Sequence, residues 1–222
     1  NTVNGGTSAT VGVRTDSNYS SCVLALPLVG NANDVSNQIN SGSTTKTITV
    51  TNAVASSAQS NFYGGSWYFD GTGDYLDISA NADFAFGTGD FTIECWVYNE
   101  GHGATGNVVD CRTGSSQGWG LQLSSSEYFM FYSEVSASSV LGNMGPVTED
   151  TWSHLAITRA SGTLYGFING QLKNSASHTS NYTTNLPCVI GARYSKDQQY
   201  FSGFMQDVRV YKGAAKYTQN FI

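Results

Sequence analysis

Short apolar or alternating runs recur from residue 21 onward, and clusters of turn residues separate them. In 91–98 the odd-numbered positions carry Phe, Ile, Cys and Val, whereas the even-numbered positions carry Thr, Glu, Trp and Tyr. This period of two is typical of a strand whose sheet has one face in the core. The strand candidates are 22–28, 46–51, 66–70, 75–78, 91–98, 107–111, 119–123, 128–132, 152–159, 164–168, 188–191 and 204–211. Such closely spaced short strands predict an all-β sandwich of two antiparallel sheets.

The strongest local turn signal is Asn169-Gly170, since both residue types tolerate the positive φ angles of a type I′ turn. The pair predicts a hairpin between 164–168 and 171–173. Residues 1–18 are polar and glycine-bearing with little hydrophobic periodicity, which predicts a linker or arm. We therefore expect one domain over residues 19–222.

Composition and charge narrow the function classes. Charged residues make up only 12% of the chain and the formal net charge is -6, with the Lys and Arg residues scattered. Nucleic-acid binding needs a basic stripe to neutralise phosphates, so we expect no nucleic-acid partner. No apolar run approaches the roughly 20 residues of a membrane helix, so we expect no membrane partner. The chain begins with Asn1 and shows no signal-peptide pattern, which indicates a processed product or a piece of something longer.

The four cysteines are Cys22, Cys95, Cys111 and Cys188, and none forms the C-x-x-C spacing of a zinc site. Cys95 and Cys111 end two neighbouring predicted strands and could face each other as a disulfide. The alternative is that the cysteines are buried thiols acting as small hydrophobic side chains.

Five motifs follow one another along the chain: 68–76 (YFDGTGDYL), 91–98 (FTIECWVY), 152–156 (WSHLA), 164–170 (LYGFING) and 203–211 (GFMQDVRVY). In this order they resemble the laminin-G-like, concanavalin A-like family of jelly-roll modules. The resemblance implies a two-sheet antiparallel jelly roll. The tail at 212–221 (KGAAKYTQNF) and the start at 23–28 (VLALPL) are similar to such modules in tailed bacteriophages, where they decorate a tail fibre, a head fibre or the capsid surface.

A catalytic role is not expected, although the jelly-roll scaffold also hosts glycoside hydrolases. Hydrolysis needs two carboxylates flanking the scissile bond, and related hydrolases carry a cluster of acidic residues on one strand. Glu94 stands alone on its strand, and Asp74 and Asp77 differ in strand parity. No histidine neighbours a G-x-S-x-G nucleophile elbow. We therefore predict that the chain is not an enzyme.

The resemblance also implies a structural calcium ion, because many members of this superfamily hold one on their outer side. Its ligands here would be Asp207 of the closing strand and Asp70 of the F-D-G segment, together with backbone carbonyls. The alternative for Asp207 is an ion pair with Arg209, two residues along on the same face, or simple contact with solvent.

Two loops are candidates for glycan contact, since sugars are recognised by aromatic rings with nearby amides and hydroxyls. Tyr194 and Tyr200 bracket a polar loop that also contains Asp197 and Gln198. A glycine-bearing loop at 99–105 contains His102. Surface loops carry function more often than core positions do, although tyrosines also pack loops against sheets.

The leading hypothesis from the sequence is a non-catalytic virion-surface module of a phage that binds host-surface polysaccharide or a neighbouring virion subunit, with homo-oligomerisation possible. The first alternative is a carbohydrate-binding module of a secreted or cell-surface protein, located outside the cell. The second is a glycoside hydrolase on the same scaffold. Intact disulfides would favour the exported module, whereas four free thiols would favour the phage protein.

Overall fold

Two antiparallel sheets account for the structure, a computed structural model that describes residues 16–101, 103–114, 117–136 and 138–221. The strands are β1 (Cys22–Leu26), β2 (Ile48–Thr51), β3 (Val54–Ser56), β4 (Ser66–Asp70), β5 (Tyr75–Asn81), β6 (Phe91–Asn99), β7 (Gly106–Arg112), β8 (Gly118–Leu123), β9 (Phe129–Ser133), β10 (Ser138–Leu141), β11 (Trp152–Ala160), β12 (Thr163–Ile168), β13 (Gln171–Ser177), β14 (Leu186–Ile190) and β15 (Ser202–Lys212). Short helical segments are α1 (Ser36–Ile39) and the 3₁₀ turns Tyr19–Ser21 and Ala82–Phe84. Among the described residues no helix is long and apolar enough to cross a membrane.

The strands are arranged as a jelly-roll sandwich. One sheet has the order β13-β12-β11-β6-β15-β4-β3, with β1 also paired to β15, and the other has the order β10-β9-β8-β7-β14-β5-β2. The core lies between them, where Ile93 and Val97 of β6 and Trp119 and Leu121 of β8 are fully buried. This arrangement confirms the predicted fold class, because the alternating apolar positions of central strands such as β6 supply the inner faces of the sheets.

The predicted hairpin at Asn169-Gly170 is confirmed, since β12 and β13 pair and the two turn residues have φ angles of 50° and 72°. The sequence missed β3 and β10, which lie at the edges of the two sheets. Both strands are short, and the side chains of β3 are exposed or half-buried. Edge strands need no apolar face, so they leave little pattern in the sequence.

Of the two alternatives that the sequence left open for Cys95, a disulfide with Cys111 or a buried thiol, the structure shows the buried thiol. Cys111 of β7 forms a disulfide with Cys188 of β14, and the two Cα atoms are 4.2 Å apart. Cys95 is a free, buried thiol on β6, in the other sheet. Strands β6 and β7 follow each other in sequence but belong to different sheets, whereas β7 and β14 are distant in sequence and hydrogen-bonded neighbours. Cys22, on β1, is also free and buried.

The predicted arm falls mainly outside the described residues, which begin at Asp16. Asp16 Oδ2 accepts a hydrogen bond of 2.7 Å from the Tyr211 hydroxyl of β15. The chain is therefore in contact with the eight-stranded sheet at this residue. The boundary between residues 18 and 19 stays a prediction.

Candidate functional site

The loop at 193–200 connects β14 to β15 and lies over the outer face of the seven-stranded sheet. Its first part is held by the Tyr194 backbone N–H, which donates to Asp110 Oδ2 of β7 at 3.1 Å. Its last part is held by the Gln199 carbonyl, which accepts from the Asn107 backbone N–H at 2.9 Å. Both ends of the loop are therefore attached to the same strand of the sheet.

Bonds within the loop fix its middle. The Tyr200 hydroxyl donates to the Lys196 carbonyl at 2.8 Å, and Lys196 Nζ forms a 2.6 Å ion pair with Asp77 of β5. Ser195 Oγ donates to the carboxylate of Asp197. A loop that is ordered before binding loses less conformational entropy when it contacts a ligand.

An ion pair beneath the loop links adjacent positions on the outer face of β7. Arg112 Nε donates to Asp110 Oδ1 at 2.8 Å, and the exposed fractions of the two side chains are 6% and 0%. Burial lowers the pKa of Arg112, but its hydrogen bonds to Asp110 and the charge of that carboxylate outweigh the effect and raise it above its usual value. Gly120 of β8 lies opposite Asp110, and its lack of a side chain leaves space for the guanidinium.

Side-chain amides extend this pair into a network. The Asn107 Oδ1 atom accepts from Arg112 Nη2 at 3.2 Å and from Gln122 Nε2 at 2.8 Å. Its Nδ2 atom donates to Gln199 Oε1 in the loop at 3.0 Å. The network therefore satisfies buried polar groups and connects strands β7 and β8 to the loop.

Aromatic rings flank the same guanidinium. The Arg112 Cζ atom lies 4.7 Å from the ring centroid of Tyr132 on β9 and 5.8 Å from that of Tyr194 in the loop. Cation–π contacts of this kind hold the planes of the two rings in place. The face thus combines oriented tyrosine rings, carboxamides and a loop with exposed polar side chains, which is the chemistry that recognises sugar hydroxyls and sugar C–H faces.

The Asp110 carboxylate is committed to this scaffold. It accepts hydrogen bonds from the Arg112 backbone N–H, Arg112 Nε, Arg112 Nη2 and the Tyr194 backbone N–H. A carboxylate offers about four lone-pair sites, so little acceptor capacity remains for a substrate proton. The arrangement suits binding better than acid–base catalysis.

The structure brings four of the predicted glycan-contact residues together on this loop. Asp197 and Gln198 are exposed at its tip, whereas Tyr194 and Tyr200 are half-buried. His102 lies outside the described residues. Sequence reasoning missed Asp110 and its network, although a carboxylate and a guanidinium two residues apart, directly after Val108 and Val109, are a usable signal.

The two predicted calcium ligands are not brought together. Asp70 is paired with Ser202 at the start of β15, whereas Asp207 lies five residues further along that strand. At about 3.3 Å per residue this separation is roughly 16 Å, too far for one ion. The reason is the register of β4 and β15, which the sequence does not reveal.

Each of the two carboxylates has a local partner. Asp207 Oδ1 accepts from Arg209 Nε at 2.7 Å, which is the alternative expected from the sequence, and Asp70 Oδ1 accepts from the Thr72 backbone N–H at 2.7 Å. Within the described part of the chain no group of three or more His, Cys, Asp or Glu residues is placed to hold a metal ion. Calcium binding stays a prediction, without Asp70 and Asp207 as joint ligands.

Comparisons with known proteins agree with this architecture. A family model, Laminin_G_3, described as the concanavalin A-like lectin/glucanases superfamily, matches residues 70–219. No curated protein matches the chain. Domain 4 of AbnA, an extracellular arabinanase from Geobacillus stearothermophilus solved in complex with arabinotriose, has a TM-score of 0.66 and 15% identity, covering 88% of this chain and 94% of that one.

Two further solved structures are also similar. The binding domain of Paraclostridial Mosquitocidal Protein 1 has a TM-score of 0.70 and 14% identity, covering 89% of this chain and 50% of that one. Botulinum neurotoxin type C, whose cell entry is dependent upon interaction with two ganglioside molecules, has a TM-score of 0.63 and 11% identity, covering 87% of this chain and 48% of that one. The chain therefore spans about half the length of these two chains. Identities this low show the shared fold.

Proposed function

This chain belongs to the concanavalin A-like lectin/glucanases superfamily, and from that premise we propose that it is a non-catalytic carbohydrate-binding module. The observation that carries the proposal is the loop at 193–200, which is held at both ends on β7 above the buried Asp110–Arg112 pair. Its tip presents the exposed side chains of Asp197 and Gln198 between two tyrosines. The similar arabinanase domain, which was solved with a bound oligosaccharide, supports the same assignment.

The mode of binding follows from what the loop exposes. The Asp197 carboxylate and the Gln198 amide would exchange hydrogen bonds with sugar hydroxyls, and the rings of Tyr194 and Tyr200 would contact sugar C–H faces. Few contacts and a pre-ordered loop are typical of weak, selective glycan binding. Host-surface polysaccharide is the proposed partner.

The biological setting is the finer part of the proposal. The resemblance of the tail at 212–221 to tailed-phage modules supports a virion-surface location on a tail fibre, head fibre or capsid, with a neighbouring virion subunit or a second copy of the chain as further partners. The Cys111–Cys188 disulfide favours the alternative, a module of a secreted or cell-surface protein, because disulfides persist in oxidising compartments. Finding the chain in purified virions by mass spectrometry would decide for the phage protein.

A glycan array that includes bacterial surface polysaccharides tests the binding function. We expect selective binding by the wild-type chain, and a loss of about tenfold or more in affinity in Gln198→Ala combined with Asp197→Ala. Gln38→Ala is the matched control, because Gln38 is an exposed glutamine on α1. Parallel arrays with calcium and with chelator test whether glycan binding depends on the structural calcium ion that the family resemblance implies.

A blank array for a folded wild-type protein would contradict the carbohydrate proposal and leave a structural virion role. If the double variant binds glycan as well as the wild type does and Gln38→Ala does not, the glycan site lies outside the 193–200 loop. Turnover of any polysaccharide on the same panel would instead support the hydrolase alternative.

A further inference from the structure

A pocket lies on the opposite side of the molecule, where the C-terminal segment (213–221) crosses the outer face of the eight-stranded sheet. The carboxylate of Glu94 on β6 accepts from Lys216 Nζ at 2.6 Å and from the Tyr217 hydroxyl at 2.8 Å. Near the end of the segment, the Phe221 backbone N–H donates to the Gly170 carbonyl at 2.8 Å. These bonds attach the segment to the sheet at two separated places.

Between those attachments the segment leaves an open cavity of about 540 Å³. Its lining residues are Trp96, His154, Asn169, Gly170, Tyr217 and Phe221. The volume falls within the roughly 300–1,000 Å³ of small-ligand pockets. The cavity is therefore large enough for a small ligand and is bounded mainly by aromatic rings.

The aromatic walls are held in defined orientations. The rings of Tyr217 and Phe221 are stacked, with centroids 3.6 Å apart and an interplanar angle of 9°. Trp96 is braced by the edge of Phe62, at a centroid distance of 5.3 Å, and by His154, at 5.1 Å. Flat rings that are fixed before a ligand arrives provide apolar contact at low entropic cost.

The charges beside the pocket neutralise one another. Glu94 Oε1 is paired with Lys216, and His154 Nε2 lies 3.6 Å from Glu94 Oε2. Although burial raises the pKa of Glu94, the neighbouring His154 ring and the charge of Lys216 outweigh it and lower that pKa to about 2. The carboxylate thus stays ionised and paired, and a charged ligand would find no unpaired partner in this cluster.

Polar groups occur at the rim. The Asn169 Oδ1 atom accepts from the His154 backbone N–H at 2.7 Å, which fixes the plane of that carboxamide at the mouth of the pocket. The positive φ of Asn169 and the bond between Gly170 and Phe221 fix the adjacent turn. A ligand in the pocket would therefore meet apolar rings on its faces and an oriented amide at its edge.

We propose that this pocket binds one neutral sugar ring stacked against Trp96, as a second carbohydrate site independent of the 193–200 loop. A sugar ring has C–H faces that match aromatic walls, hydroxyls that match a rim amide, and no charge. With sites on both outer faces, one chain could contact two glycans, which raises avidity without tighter single sites.

The test uses the full chain and an NMR titration that follows the indole N–H signals of the four tryptophans. The probes are methyl glycosides of common pentoses and hexoses, with N-acetyl-tryptophan amide as a peptide-like comparison. Trp96→Leu removes the stacking wall. Trp152→Leu is the matched control, because Trp152 lies on the same outer face opposite Tyr98 and outside the pocket.

We expect at least one glycoside to shift the Trp96 signal of the wild type saturably. The affinity, read in every variant from the line broadening of the glycoside's own signals, should be about tenfold or more lower in Trp96→Leu and changed by less than about twofold in Trp152→Leu. Phe221→Ala, which removes another wall, should weaken binding in the same direction. Thermal unfolding checks that every variant is folded. Tyr194→Ala should leave this pocket's titration unchanged, which separates it from the loop site.

Three results would overturn the proposal. The first is that no glycoside shifts the Trp96 signal. The second is that Trp96→Leu and Trp152→Leu lose the same amount of affinity for the glycoside. The third is saturable binding of N-acetyl-tryptophan amide alone, which would identify an aromatic peptide as the occupant. If no sugar binds at Trp96 but the 193–200 loop still binds glycan, the proposed carbohydrate-binding function stands and only the second site is excluded.

Discussion

Removing the carboxylate of Asp110 isolates the contribution of the buried pair beneath the 193–200 loop. Asp110→Ala leaves the Arg112 guanidinium buried, with a side-chain exposure of 6% and without its main partner, and frees the Tyr194 backbone N–H from its acceptor. Breaking a buried ion pair costs about 3–5 kcal/mol. For a domain of this size that corresponds to a fall in Tm of about 6–20 °C.

The measurement is thermal and urea unfolding of wild type and variant at pH 7. Asp77→Ala is the matched control, because Asp77 also lies on the outer face of the seven-stranded sheet and is paired with a cation, Lys196. Those two side chains are 31% and 32% exposed, so their pair contributes about 0–1 kcal/mol. Asp77→Ala should therefore lower the Tm by no more than about 4 °C.

The double variant Asp110→Ala with Arg112→Met separates an unpaired charge from lost packing. Since it removes both charges, it should recover much of the stability lost in Asp110→Ala. Equal Tm values for Asp110→Ala and Asp77→Ala would refute the argument that burial makes the first pair matter. A double variant no more stable than Asp110→Ala would show that packing, not the orphaned charge, sets the loss.

Two further predictions concern stability. Alkylation in denaturant without reductant should label two thiols, and four after reduction, because Cys111 and Cys188 are bonded; replacing both by serine should lower the free energy of unfolding by about 2–4 kcal/mol. Four labelled thiols without reductant would contradict the disulfide. Burial, and then the charge of Arg159, lower the pKa of His178 to about 4, so the unfolded state binds more protons between about pH 4 and 6.5. The contribution of His178 to the free energy of unfolding should therefore be fully present above pH 6.5 and be lost as the pH falls below it, by at most about 1.4 kcal/mol per pH unit. Urea unfolding across this pH range measures it, and an equal pH dependence in His178→Gln would contradict the argument.

The sequence determined the fold class and most strands because the local rule is simple. A strand with one buried face must alternate, and 91–98 does so, with Ile93 and Val97 fully buried as expected. The turn at Asn169-Gly170 was equally readable, since positive φ angles restrict which residues can occupy it. Edge strands such as β3 were not predicted, because they bury few side chains and so show no apolar alternation.

Only part of the two candidate sites could be predicted from the sequence. The sequence indicated the 193–200 loop from its tyrosines and polar side chains, but it gave no sign that Asp110 holds that loop from a strand more than 80 residues away. The aromatic pocket is a similar case. Trp96 and Phe221 are far apart in the chain, and only the path of the C-terminal segment brings them together.

Pairing between strands was decided by the tertiary structure alone. The sequence places Cys95 and Cys111 on successive strands, yet the two sheets separate them and bring Cys188 to Cys111. The register of β15 likewise keeps Asp207 away from Asp70. Alternation specifies which face of a strand is buried, because burial acts on each residue locally. It does not specify which strands are neighbours, since that depends on how the whole set of apolar faces closes around one core.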